Sequence, residues 1–162
     1  MSHSEQALRS PEEREAVNEA VRALRAAAPH GWERLGFEFR ATVGIDSASF
    51  EIVDADGGIR TAVPPGQAVG RMDELRRVMY RRGQGAWFTA RLDVGRDRFS
   101  AEFDYDGEPD FTPPLTPSAY ALDLERFPRS DEHIPDWLRA KLGEDAGTRA
   151  HRSGAAQVRT RR

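Results

Sequence analysis

The sequence contains no cysteine. That absence excludes disulfide bonds, thiolate metal sites and a cysteine nucleophile. Long hydrophobic runs are also missing, because no apolar stretch approaches the roughly 18 residues of a membrane span. The first 14 residues, MSHSEQALRSPEER, lack the apolar segment of a secretory signal. We therefore expect a cytoplasmic protein without membrane contact.

Histidine is scarce, and the spacing of the histidines does not favour catalysis. No pair has the helical spacing of metal ligands, and their scatter argues against a nucleophile triad; they are His3, His30, His133 and His151. The chain has neither a GxSxG elbow nor a glycine-rich phosphate loop. The sequence thus predicts no metal, no cofactor and no enzymatic activity.

What is present suits one domain with an acidic surface. The chain has 162 residues and a net charge of −3. Its last 20 residues carry five arginines against two acidic residues, so residues 1–142 hold 19 basic and 25 acidic residues, a net charge of −6. We expect one domain over residues 1–142 and a disordered, arginine-rich tail over residues 143–162. An acidic body repels nucleic acid and attracts basic partners, so we expect no specific nucleic-acid binding.

Hydrophobic periodicity predicts an alternation of helices and strands. Ser10-Pro11-Glu12-Glu13 has the form of a capping box with proline at the first helical position. Predicted helices cover 11–28, 67–82, 117–124 and 130–142, and predicted strands begin near 35, 48, 59, 86 and 97. Tight turns between strands indicate an α+β two-layer sandwich, with a mostly antiparallel sheet of about five strands and helices packed on one face.

The clearest local pattern is a hairpin in AWFTARLDVGRDRFSAEFDYD. A two-residue turn at Gly95-Arg96 would pair Leu92 with Phe99 and make every pair on that face apolar or aromatic. The same register places Trp87 on the polar face, either as an exposed interface anchor or covered by a terminal helix.

The hairpin leads into an acidic loop, residues 104–110. The spacing of its carboxylates resembles the start of a calcium loop, but Leu115 stands where the bidentate glutamate should be. A solvated acidic surface for a basic protein partner is the favoured interpretation. The alternative is a small ligand-binding or metal-binding domain, or a hydrolase, that uses this loop. The predicted contact residues are Trp87, Arg91, Glu102, Asp104, Asp106, Glu108 and Asp110.

The hairpin residues WFTARL and FSAEFDYD resemble the YezG-like antitoxin or immunity family. Downstream, EPDF, LERFP and IPDW resemble actinobacterial relatives, some of which accompany toxins related to the tuberculosis necrotizing toxin, an NAD glycohydrolase. The resemblance covers roughly residues 31–142 and implies an immunity protein that binds and neutralises a cognate toxin. The toxin class stays open, since nuclease toxins also accompany this family. A weaker alternative is a regulatory or chaperone-like module attached through its tail.

Overall fold

The computed structural model describes the backbone of residues 8–159 and side chains through residue 152. Within that part, the helices are α1 (Pro11–Ala27), α2 (Gly66–Val78), α3 (Pro117–Arg126) and α4 (Asp136–Arg159), with a 3-10 turn at Asp131–His133. The strands are β1 (Trp32–Ala41), β2 (Asp46–Asp54), β3 (Ile59–Ala62), β4 (Thr89–Val94) and β5 (Phe99–Asp104). His3 and the last two arginines of the predicted tail, Arg161 and Arg162, lie outside the residues that the structure describes.

Helix α1 begins at the capping box that the sequence predicts. The Ser10 hydroxyl accepts the Glu13 backbone N–H at 3.1 Å, and the Glu13 carboxylate accepts the Ser10 N–H at 3.0 Å. These two bonds satisfy amides that a helix start otherwise leaves unpaired. The stripe Val17, Ala20, Val21 and Leu24 is fully buried and fixes the face that α1 turns toward the sheet.

The five strands form one antiparallel sheet in the order β3-β2-β1-β4-β5. The α+β class and the five-stranded antiparallel sheet are therefore confirmed. Helices α1 and α2 pack against the face that carries Phe37, Phe39, Phe50 and Leu92, all within one buried core. On the opposite face, Glu51, Arg91 and Glu102 are exposed over the centre of the sheet, whereas Thr89 near one end is buried. We call this exposed central part the open face.

The β4–β5 hairpin exists, but the predicted register is wrong by two residues. Leu92 pairs with Ala101, and Val94 pairs with Phe99 across a four-residue connection. A slip of two residues keeps every side chain on its face, so the alternating pattern alone does not distinguish the two registers. Strand β1 holds β4 from the other side, through Leu92 opposite Phe37.

The prediction that Trp87 is an exposed contact residue is wrong. The side chain is 0% exposed, and its ring packs 5.9 Å from Phe39 and 5.6 Å from Phe103, centroid to centroid. The regular alternation of inward and outward side chains ends at Thr89. Asp104 lies opposite Thr89, and its carbonyl also accepts the Phe88 N–H, so that two residues of one chain segment face one residue of β5. That irregularity shifts the pattern by one residue and turns Trp87 into the core.

The chain after β5 builds a second, smaller core at one end of the sheet. Phe88, Tyr120 and Leu138 are buried together, and Trp137 packs against them. Helix α4 continues past Leu142, where the sequence predicts the ordered domain to end and a disordered tail to begin. Asp145 is buried and pairs with Arg149, so residues just beyond that boundary belong to the folded body.

Candidate functional site

The acidic loop carries four predicted contact residues, and two of them hold local structure. Asp104 Oδ1 accepts the backbone N–H of Asp106 at 3.2 Å and that of Gly107 at 2.9 Å. The Asp106 carboxylate accepts a hydrogen bond from Arg129 at 3.2 Å, although its side chain is 74% exposed. Asp104 therefore closes the turn, and Asp106 has an internal partner.

The other two loop carboxylates face a shallow cleft between the loop and helices α3 and α4. Glu108 lies 3.9 Å from the Lys141 ammonium, and Asp110 is exposed. The cleft has a volume of about 250 Å³, with Tyr120 in its wall. Burial, together with the nearby Glu108 charge, raises the pKa of Tyr120 to about 12. The phenol therefore keeps its proton at neutral pH and can donate a hydrogen bond.

The metal-binding alternative requires several histidines or carboxylates close together. Among the side chains of residues 8–152, no group of three or more histidines and carboxylates is placed to hold a metal ion. One oxygen of Asp104 is already satisfied by two backbone donors. The loop carboxylates are arranged mainly to shape the turn and to present charge.

Arg91 and Glu102 lie side by side on the open face of the sheet. In one row across the strands, Glu38 lies between Ser49 and Arg91, and Arg91 lies between Glu38 and Glu102. Arg91 and Glu102 are both exposed. The structure thus brings two predicted contact residues together on the exposed part of the sheet.

The neighbouring row contains a gap where a side chain is missing. It runs Thr61, Glu51, Gly36, Asp93 and Ser100 from edge to edge. A Cβ atom at Gly36 would meet only the Glu51 Cβ, at 3.9 Å. The result is a depression of about 390 Å³ in the middle of the open face. Glycine inside a strand often marks a close approach by another molecule, a signal that the sequence analysis did not use.

Carboxylates are the most numerous polar groups that line the depression. Its polar wall comprises Glu38, Ser49, Glu51, Arg91, Asp93, Ser100 and Glu102. Four of these side chains are acidic and one is basic. Arg91 lies 3.8 Å from Glu38, whereas Glu51 and Glu102 make no ion pair within the described part of the chain. A hydrogen bond from Arg34 lowers the pKa of the Asp93 carboxyl, so that group is ionised at neutral pH.

Three buried charged residues that the sequence analysis missed hold the two cores together. Arg76 donates to both Asp123 oxygens, at 2.8 and 2.9 Å, and its Nε donates to the Trp87 carbonyl at 2.7 Å. Arg129 donates to the carbonyls of Ala86 and Tyr105. Arg76 and Asp123 are 47 residues apart in sequence, so no local pattern marks the pair.

No helix in residues 8–159 is long and apolar enough to cross a membrane. No protein-family model matches the chain, and no curated protein matches it either. The resemblance to YezG-like immunity proteins therefore stays a prediction from the hairpin and downstream motifs in the sequence.

Proposed function

We propose that this protein is a cytoplasmic immunity protein that binds a cognate toxin domain and neutralises it by covering its active site. The observation that carries the proposal is the open sheet face, with Arg91 and Glu102 exposed beside the depression at Gly36. The proposed role of the protein is to bind the toxin, and this role requires no catalytic group in the immunity protein. The resemblance of the hairpin motifs to YezG-like proteins supports the same class.

The open face suits an inhibitor because its backbone is rigid. Strand β1 lies at the centre of the sheet and pairs on both sides, and helices α1 and α2 brace the opposite face. A preorganised surface loses little conformational freedom on binding, so more of the contact energy appears as affinity. A rigid face of this kind can block an active site without rearranging.

The charge on the face favours a basic partner. Glu51 and Glu102 are exposed and lack internal ion pairs in the described residues. In the acidic loop, Asp110 is exposed and adds negative charge to the surface. Complementary charge speeds association and suppresses wrong partners. A nuclease whose active site binds phosphates, or an NAD glycohydrolase, fits this requirement.

The test starts from tagged full-length protein expressed in its own host. Affinity capture followed by mass spectrometry should recover one toxin domain at near-equal stoichiometry. That domain is then expressed alone and with the protein in a sensitive strain. We expect growth arrest from the toxin alone and full growth with both. Recovery of no toxin, or a toxin that stays active in the complex, would contradict the proposal.

A further inference from the structure

The open face has a gap at Gly36, where no side chain fills the space beside a carboxylate that lacks an ion pair. Gly36 lies on central strand β1, and its direct neighbours on the open face are Glu51 on β2 and Asp93 on β4. Side chains directly opposite each other in a sheet interact, and opposite charges are favourable there. Arg34 already pairs with Asp93 through both carboxylate oxygens, whereas Glu51 makes no ion pair within the described residues. The space beside Glu51 therefore favours a cation, yet the chain supplies no side chain at Gly36.

Two rows further along β1, at Arg40, the same face of the sheet already holds a guanidinium group. The Arg40 guanidinium lies 2.9 Å from the Glu38 carboxylate and 3.4 Å from the Ser47 hydroxyl, and only 13% of its side chain is exposed. Carboxylates and serines also surround the space above Gly36, where Glu51, Ser49 and Ser100 line the depression. The surroundings of Gly36 thus resemble those of Arg40 in having a carboxylate and serine hydroxyls, but at Gly36 the chain itself supplies no guanidinium.

We propose that the depression at Gly36 receives one arginine side chain from a loop of the toxin. This inference rests on the proposed immunity function and names the chemistry of the partner. The depression, about 390 Å³, can hold one long side chain, and the Glu51 carboxylate can accept both donors of a guanidinium fork. The unpaired Glu51 supplies charge that no internal group neutralises in the described residues.

The probe is the peptide acetyl-Gly-Ser-Arg-Ser-Gly-amide, and its control is the same peptide with citrulline, which has the shape of arginine without the charge. Each is titrated into ¹⁵N-labelled full-length protein and followed by NMR. We expect saturable shifts in the amides around Gly36 and Asp93 with the arginine peptide only. Equal shifts with the citrulline peptide, or shifts spread over the whole surface, would overturn the proposal.

Three variants sharpen the test. Gly36→Leu should abolish the saturable shifts by filling the gap, and its fold should hold because a Cβ there meets nothing closer than 3.9 Å. Gly36→Arg should abolish them too, and should melt at a higher temperature than Gly36→Leu at low salt, since its own arginine would meet Glu51. Gly70→Leu, at an exposed position on α2 with free space around it, should bind like the wild type.

The outcomes separate this inference from the proposed function. If Gly36→Leu still binds the arginine peptide, or captures the toxin as well as the wild type does, the arginine site is wrong and the immunity function stands. If the arginine peptide binds at Gly36 while wild-type protein captures no toxin, the binding chemistry stands and the immunity function fails. Loss of both interactions in Gly36→Leu, with Gly70→Leu unaffected, is the result that we expect.

Discussion

Arg76 and Asp123 form a buried, two-pronged ion pair that joins helix α2 to helix α3, with each side chain only 3% exposed. Removing one partner of a buried pair leaves an uncompensated charge, which costs about 3–5 kcal/mol. We therefore expect Asp123→Ala to lower the free energy of unfolding by that amount, measured by urea denaturation. The double variant Arg76→Met with Asp123→Leu should recover much of the loss. Equal stability of Asp123→Ala and wild type would contradict the role of the pair.

Gly85 is predicted to be far less replaceable than Gly57. Both have positive φ, 81° and 87°, so alanine is strained at either position. A Cβ at Gly85 would also lie 2.7 Å from the Arg129 side chain, whereas at Gly57 it would meet nothing. Overpacking of this kind costs about 1–3 kcal/mol. Gly85→Ala should unfold at lower urea concentration than Gly57→Ala, and matching midpoints would contradict the crowding at Arg129.

Glu13 should make part of the stability depend on pH. Burial alone would raise its pKa, but hydrogen bonds from the Arg9 amide and the Arg81 guanidinium outweigh burial, and the net result lies below the ordinary 4.5. A lowered folded-state pKa stabilises the fold above about pH 4.5. That contribution is lost as the pH falls through the lowered folded-state pKa. The melting-temperature gap between wild type and Glu13→Gln should therefore be full at pH 7 and shrink below pH 4.5. A constant gap would contradict this.

Two carboxylates of the acidic loop, Asp104 and Asp110, should respond differently to substitution: the first stabilises the fold and the second attracts the toxin. Asp104→Ala removes the acceptor of two backbone N–H groups and should cost about 1 kcal/mol of folding free energy. Asp110 is exposed, so Asp110→Arg should leave stability unchanged and slow toxin association a few-fold at low salt. Stopped-flow association and thermal melts measure the two effects. If Asp110→Arg associates at the wild-type rate, the loop does not attract the toxin.

Local features of the fold could be predicted because neighbouring residues determine them. The capping box at Ser10 and the alternation in the hairpin depend on contacts between residues close in sequence. The alternation of polar and apolar residues along β4 and β5 also predicted that Arg91 and Glu102 share the polar face of the sheet. The prediction of an antiparallel five-stranded sheet followed from the tight turns between those strands.

The remaining features depend on long-range packing. The burial of Trp87 follows from an irregularity where β4 meets β1 and β5, and the Arg76–Asp123 pair joins residues from separate helices. The depression at Gly36 appears only when β2 and β4 place Glu51 and Asp93 on either side of it. Sequence alone marks that position as a glycine within a strand and shows nothing of its neighbours.

The central claim is that the open sheet face contacts the toxin, and charge reversal tests it most directly. The double variant Glu51→Arg with Glu102→Arg changes two exposed residues on that face. The control, Glu12→Arg with Glu74→Arg, makes the same change in net charge on exposed positions of helices α1 and α2, against the opposite face.

The measurement is the equilibrium affinity of the captured toxin domain for wild type and both double variants, by titration calorimetry at physiological salt. We expect the open-face variant to bind at least about 100-fold more weakly, which corresponds to about 2.7 kcal/mol, while the control stays within about threefold of wild type. Equal weakening of both variants would show that only net charge matters. Wild-type affinity in the open-face variant would show that the toxin binds elsewhere, and either result would contradict the account.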